Sequence, residues 1–327
     1  MRMRSFTSAS KRVGAASYAS AVLLAGCATI CATAELVVRF NLDAVSKIQR
    51  RTAAEYRLAT SATTPAARHI ALFLGNSLLD EGVRFDTVKS RLAPDWEARR
   101  FVVEQTAYHD WYYALRRLFA DGARADTIVI MMSPLHWIHD GMRGDYSAYY
   151  LMTDSDAVMY ATRMHPTAGT GFMLAAVSNF WGARVEIRNF VLGRILPRFG
   201  ELMSATSIVD RSILKDDDVE RIATGRLEDL RVLAAAYDAR LVVMVPPVIE
   251  PNDGSEGLAR AARRTGLAVF APVRSGTYPA SLYRDGGFHL NAIGATRFTD
   301  ELLDPLRAVL DQTIVQAPSA QETARLP

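Results

Sequence analysis

Apolar runs and turn residues alternate along residues 69–312 in a regular order. Ile70–Leu74 is an unbroken apolar run halted at Gly75. Thr127–Met132 is similar and ends at Ser133-Pro134, and Leu241–Val245 ends at Pro246-Pro247. Strands apolar at every position, rather than at alternate ones, are those buried on both faces of a parallel sheet. Phe101-Val102-Val103 and Leu267–Phe270 read as two further strands. Helix-period segments separate them: 85–92 with Asp86 near its start, 109–121 with an aromatic stripe, 216–237, 255–265, and a closing 292–312. The acids Asp216-Asp217-Asp218 suit the positive end of a helix dipole, and as consecutive helical positions they point apart rather than toward one metal. The alternation predicts an α/β fold, a three-layer sandwich with a central parallel sheet of about five strands and helices on both faces.

The rhythm stops over residues 138–215, which carry Tyr146, Tyr149, Tyr150, Met159, Phe172 and Trp181 among others. This segment reads as a helical insertion leaving the carboxyl edge of the sheet. It is expected to be a lid over that edge, the alternative being a helical group packed on the side of the domain. Within it, Phe172–Val177 and Val191–Phe199 are apolar but too short to span a bilayer, leaving open a second membrane-associated element.

Ahead of the domain, residues 13–38 hold no charge except Glu35. The stretch of about 22 uncharged residues before it is long enough to cross a membrane as a helix. Arg2, Arg4, Lys11 and Arg12 precede it, and basic residues also follow it, so a charge count alone does not orient it. A short basic amino-terminal tail ahead of an apolar run normally stays cytoplasmic. The expectation is therefore a single-pass inner-membrane protein with residues 59–327 in the periplasm. Leu24-Ala25-Gly26-Cys27 also fits a lipoprotein cleavage site, with Cys27 lipidated, although the apolar run continues beyond it. The expected organisation is an anchor over 1–40, a juxtamembrane helix and linker over 41–68, the globular domain over 69–315 and a disordered tail over 316–327. The basic face of the juxtamembrane helix, with Lys47, Arg50 and Arg51, is expected to lie on lipid headgroups or in solvent.

Composition narrows the function. Half the residues are apolar and 22% charged, enough for a sizeable core. The net charge of +3, with no basic run interleaved with aromatics, argues against a nucleic-acid partner. Both cysteines, Cys27 and Cys31, fall in the amino-terminal apolar segment, which excludes a cysteine nucleophile in the domain. His136, His139 and Asp140 lack a distant companion ligand, so neither a metal nor a cofactor is expected.

The candidate chemistry lies at the two ends of the domain. Gly75-Asn76-Ser77-Leu78 follows the first strand, a corner that lifts a serine hydroxyl to the carboxyl edge of the sheet. A serine needs a base within hydrogen-bond reach, and Asp285-Gly286-Gly287-Phe288-His289-Leu290-Asn291 supplies a histidine with a nearby acid. Together these blocks resemble the SGNH (GDSL-type) hydrolase superfamily, in which an early Gly-Asp-Ser block pairs with a late Asp-x-x-His block. The resemblance implies an SGNH- or flavodoxin-like sheet with Ser77 as nucleophile, His289 as base and Asp285 as its acid. Asp285 and His289 stand one residue further apart than the family spacing, which a bulge at Gly286-Gly287 would absorb. The family also places a glycine after the second strand and an asparagine after the third as oxyanion donors. The matching positions here are Gln105-Thr106 and Ser133-Pro134-Leu135-His136, so the expected donors are the N–H groups of Ser77 and Gln105 and the ring of His136. Membrane-anchored relatives of this layout include alginate O-acetyltransferases and D-alanyl transfer proteins. The resemblance thus implies an esterase or O-acyltransferase acting on acyl esters of a cell-surface glycan, with a membrane-bound acyltransferase as partner. The alternatives are a carboxylesterase or lipase, and an inactive domain that binds glycan or scaffolds a membrane complex.

Overall fold

A computed structural model describes residues 7–61, 69–143, 145–199 and 214–315. Its centre is a five-stranded, fully parallel sheet in the order β2-β1-β3-β4-β5. The strands are β1 (His69–Gly75), β2 (Trp96–Val102), β3 (Thr127–Met131), β4 (Arg240–Met244) and β5 (Ala268–Phe270). The strand order reverses at β1, which has β2 on one side and β3 on the other; in open α/β sheets such a switch point opens a crevice at the carboxyl edge.

Alternate residues of the apolar strands face the two layers. Ile70, Leu72, Leu74, Ile128 and Ile130 pack with helices Tyr108–Ala120, Asp216–Ala235 and Ser255–Thr265. Ala71, Phe73, Val129, Met131, Val242 and Met244 pack with helices Phe85–Leu92 and Ala292–Val315. Each apolar strand is therefore covered on both sides, as its continuous apolar pattern predicts. At about 25 cal/mol per Å² of apolar surface removed from water, these two layers dominate the stability of the fold.

β2 departs from the sequence reading, starting at Trp96 rather than Phe101. Its polar residues are covered by protein rather than solvent. Arg99 is buried, donating to Glu97 and to the Ser61 carbonyl. Arg100 pairs with Glu55 and with Asp80. The covering element is helix Lys47–Thr60, whose Glu55 accepts the edge N–H of Val102 at 2.9 Å and whose Tyr56 ring meets Phe101 edge-on at 5.5 Å. A side-chain carboxylate on an edge-strand N–H removes a group that another chain would otherwise pair with. Arg51 of this helix, read from the sequence as part of its basic face, is held by Asp80 and Glu104, while Arg50 is exposed.

Within the 138–215 segment the described helices are Asp145–Tyr150, Asp154–Ala161, Pro166–Val177, Asn179–Gly182 and Arg184–Ile195. They share a small core, including Ala148, Met152, Phe172 and Ala175, with Tyr113 of helix Tyr108–Ala120. Buried Asp110 on that helix accepts from Ser147 Oγ and from the backbone N–H groups of Arg143 and Ala107. These helices thus pack on the first turns of helix Tyr108–Ala120, next to the loop after β2. Residues 200–213 of the segment expected to form a lid lie outside the described residues, as does the tail from residue 316.

The chain opens with helix Thr7–Val45, in which Ser17–Leu42 has a mean hydropathy of 2.1. It is the one helix among the described residues long and apolar enough to cross a membrane, as an anchor or as a signal sequence.

Candidate active site

β1 delivers its last residue, Gly75, into a gap with no room for a side chain. A Cβ there would stand 2.7 Å from the Met131 carbonyl oxygen and 2.9 Å from Leu79 Cβ. Asn76 follows as the cap of a short helix, Ser77–Gly82, accepting the Leu78 N–H at 3.1 Å. Its amide donates to the Thr106 carbonyl at 3.0 Å, tying the loop after β1 to the loop after β2. Asn76 is buried, and this second bond requires an amide donor, which the carboxylate of the family pattern does not have at neutral pH.

His289 lies on β7 (His289–Leu290), which pairs antiparallel with β6 (Tyr283–Arg284), so Arg284 stands opposite His289. The connecting loop bends through Gly286 (φ 70) and Gly287 (φ 104), both in the left-handed region. A Cβ on Gly287 would also lie 2.1 Å from Ile249 Cγ2. The backbone therefore uses both glycines, and the hairpin brings Nε2 of His289 to 2.9 Å from Ser77 Oγ, across 212 positions of sequence. The Asp285 side chain lies outside the described residues.

A carboxylate not read from the sequence joins this pair. Glu81 lies one turn after Ser77, on the same face of its helix. Its Oε2 is 3.9 Å from His289 Nε2 and forms an ion pair with Arg284. Because it faces Nε2 rather than Nδ1, Glu81 stabilises charge on the ring without fixing the tautomer that a triad acid fixes. The i, i+4 spacing from Ser77 was the available signal; the cross-strand position of Arg284 was not.

The two expected oxyanion positions differ from each other. Gln105, near where the family pattern has a glycine, has φ 57, a left-handed backbone that glycine adopts more readily, and its side chain is exposed. Holding a side chain in that conformation costs about 1–2 kcal/mol. His136 lies on helix Pro134–Ile138, its Nδ1 2.7 Å from Ser133 Oγ and its ring centroid 5.9 Å from that of Phe288, the neighbour of His289. Burial, and then the proximity of His139 and His289, push the His136 ring down to about 4, so it is neutral at physiological pH. His139 and Asp140 turn elsewhere, to Gly141 and Arg226 respectively. Among the described residues no three His, Cys, Asp or Glu converge as a metal site.

No protein-family model matches the chain, and no curated protein matches it. Solved structures similar to it include the crystal structure of TesA, at 10% identity and a TM-score of 0.39, over 73% of this chain and 99% of that one. Axe2, an acetylxylan esterase from Geobacillus stearothermophilus, is similar at 13% identity and a TM-score of 0.38, over 75% of this chain and 96% of its own. Likenesses this distant say nothing about chemistry, which rests on the residues above.

Proposed function

We propose that the chain is a serine-dependent ester hydrolase or O-acyltransferase. The observation that carries this reading is the 2.9 Å contact between Ser77 Oγ and His289 Nε2 at the switch point of a parallel sheet. In the reaction, Oγ attacks an ester carbonyl while Nε2 takes the hydroxyl proton, giving a tetrahedral oxyanion and an imidazolium. The Ser77 N–H at the start of its helix, the Gln105 N–H and the neutral His136 ring are the donors assigned to that oxyanion. A single such donor is typically worth about 10²–10³-fold in rate. Collapse of the intermediate expels the alcohol, which leaves with the proton from His289, and an acyl group remains on Ser77. Water or an acceptor hydroxyl then reverses the sequence. Asp285 is assigned to hold the imidazole from its other side.

The finer reading is an acyl ester, such as acetyl, on a cell-surface glycan, handled by an inner-membrane protein whose domain faces the periplasm beside a membrane-bound acyltransferase. The motif resemblance and the amino-terminal apolar helix support it. A second reading, a glycan-binding domain without turnover, is favoured by one observation: the stretch Ser133-Pro134-Leu135-His136, where the family pattern has its asparagine, holds none, and its Pro134 has no N–H to donate. A fluorophosphonate probe on the full chain in detergent separates the two. Labelling that disappears in Ser77→Ala supports the enzyme, whereas no labelling of the parent leaves the binding domain.

A further inference from the structure

Glu35 is the one charge in the apolar segment 13–38, and it is in use. Its carboxylate accepts the N–H groups of Asn179 and Phe180, both at 2.9 Å, and the Ser178 hydroxyl at 2.8 Å. One and two turns further on, Val38 and Leu42 pack against Ala183, with Tyr149 and Ile187 alongside. The helices of the 138–215 segment are thus fastened to the last turns of the apolar helix, and residues 178–180 lie level with a position inside the Ser17–Leu42 stretch. An ionised carboxylate at such a depth is costly unless it is bonded, and here four donors meet it, the three above and the Arg39 guanidinium at 3.4 Å.

The elements fastened there are unusually apolar on the outside. Helix Pro166–Val177 has no charged residue, yet its Val177 is 71% exposed. Phe180, Trp181, Ile195 and Leu196 are exposed as well. A helix apolar all round is stable either inside a protein core or against lipid, and this one has a core on one side only. Arg184, Arg188 and Arg194 follow Trp181 along the chain, the Arg184 guanidinium 4.9 Å over the Trp181 ring and the Arg194 guanidinium 4.1 Å over the Phe190 ring. Tryptophan beside arginine next to apolar surface is the composition of a membrane interface.

We propose that residues 166–196 form a second, non-spanning membrane element, embedded among anionic phospholipid headgroups beside the end of the span and locked to it through Glu35. Apolar surface continuous with a span, at the same depth, and with arginine stacked on its aromatic rings selects a bilayer as its occupant. The arrangement also orients the domain. Helix Lys47–Thr60 follows the apolar helix after the Ser46 break, and its Arg51 holds Asp80, three residues past Ser77. The serine edge of the sheet therefore lies on the side where the span leaves the domain, next to the lipid surface. The proposal does not depend on the serine chemistry.

Native fluorescence tests it. Of the four tryptophans, Trp96, Trp111 and Trp137 are buried in the domain and Trp181 alone is exposed. The full chain is reconstituted in phosphatidylcholine–phosphatidylglycerol vesicles, with and without brominated phosphatidylcholine. The proposal predicts that bromolipid quenches part of the emission and that Trp181→Phe abolishes this quenching. A second measurement guards against a misfolded variant: with Cys27 and Cys31 replaced by serine, Val177→Cys and Ile293→Cys are each labelled with an environment-sensitive fluorophore. Ile293 is as exposed as Val177 but lies on the closing helix. The label at 177 is expected to shift to the blue and to be quenched by bromolipid, while that at 293 stays aqueous. Equal behaviour at 177 and 293 would overturn the proposal, as would a blue shift at 177 insensitive to bromolipid, the result expected if a second copy of the chain covers the patch.

Discussion

Glu81 and Arg284 form a charge pair beside His289, the proposed base, and removing one or the other perturbs that histidine in opposite directions. A carboxylate about 4 Å from a charged ring is worth about 4 kcal/mol at an effective dielectric of 20. Oε2 of Glu81 sits at 3.9 Å from Nε2, but it is already paired with Arg284 and its side chain remains 31% exposed. Partial neutralisation and solvent reduce the net effect to about 1 kcal/mol, the scale of a half-exposed pair. Glu81→Gln therefore favours the neutral ring over the imidazolium. The base acts when neutral, so the acid limb of the rate profile moves to lower pH, and the rate on the plateau falls about fivefold because the imidazolium loses support. Arg284→Ala leaves Glu81 unopposed and moves the limb to higher pH. The assay is the pH dependence of inactivation by a fluorophosphonate, which needs no knowledge of the natural substrate. Limbs that stay within about 0.2 of a unit of the parent in both variants, or that move in the same direction, would refute the electrostatic argument.

Three further outcomes are expected, the first from the motif resemblance and the other two from the geometry. Asp285→Asn is expected to slow turnover of an activated acetyl ester by more than about 10²-fold, toward the 10⁴-fold seen when a triad acid is neutralised; a rate within about threefold, with His289→Ala inactive, would leave a Ser77–His289 dyad. Gly287→Ala adds a methyl 2.1 Å from Ile249 at a positive φ, and a loss of about 2–4 kcal/mol should lower the melting midpoint by at least about 4 °C and reduce Ser77 labelling; an unchanged midpoint would contradict the close contact. His136 is held neutral well below its ordinary value of 6.5, so the unfolded chain binds more protons between pH 6.5 and about 4, and stability is lost as the pH is lowered through that window. Denaturant titrations at several pH values should show this slope, up to about 1.4 kcal/mol per pH unit, flattened in His136→Gln.

The parts of the fold legible in the sequence were those where burial is two-sided. β1, β3 and β4 are apolar at nearly every position, so their edges fall within a residue or two of the expected ones. β2 was half missed because Glu97, Arg99 and Arg100 look like a solvated turn. They are interior to a helix-covered edge, and that cover comes from a segment more than 35 residues earlier. The same long-range packing hid the role of helix Lys47–Thr60, whose Arg51 and Glu55 read as surface charge. At the site, Ser77 and His289 were legible because each stands in a short block with its own turn chemistry. Glu81 was not, because its relevance depends on a hairpin that places Arg284 opposite His289. The break in rhythm after residue 138 announced helices, but local pattern does not say what a helix packs on; that was decided by Asp110 and Tyr113 on one side and Glu35 on the other.

In the proposed mechanism Ser77 carries the acyl group during turnover, with His289 as its base. The most direct measurement mixes the full chain with an activated acetyl ester, quenches in acid within the first turnover, and maps the acetyl group by peptide mass spectrometry. One acetyl group is expected on the peptide containing Ser77, absent in Ser77→Ala and formed at least about 10³-fold more slowly in His289→Ala. An acetyl group on another residue, or equal rates of Ser77 acetylation with and without His289, would contradict it.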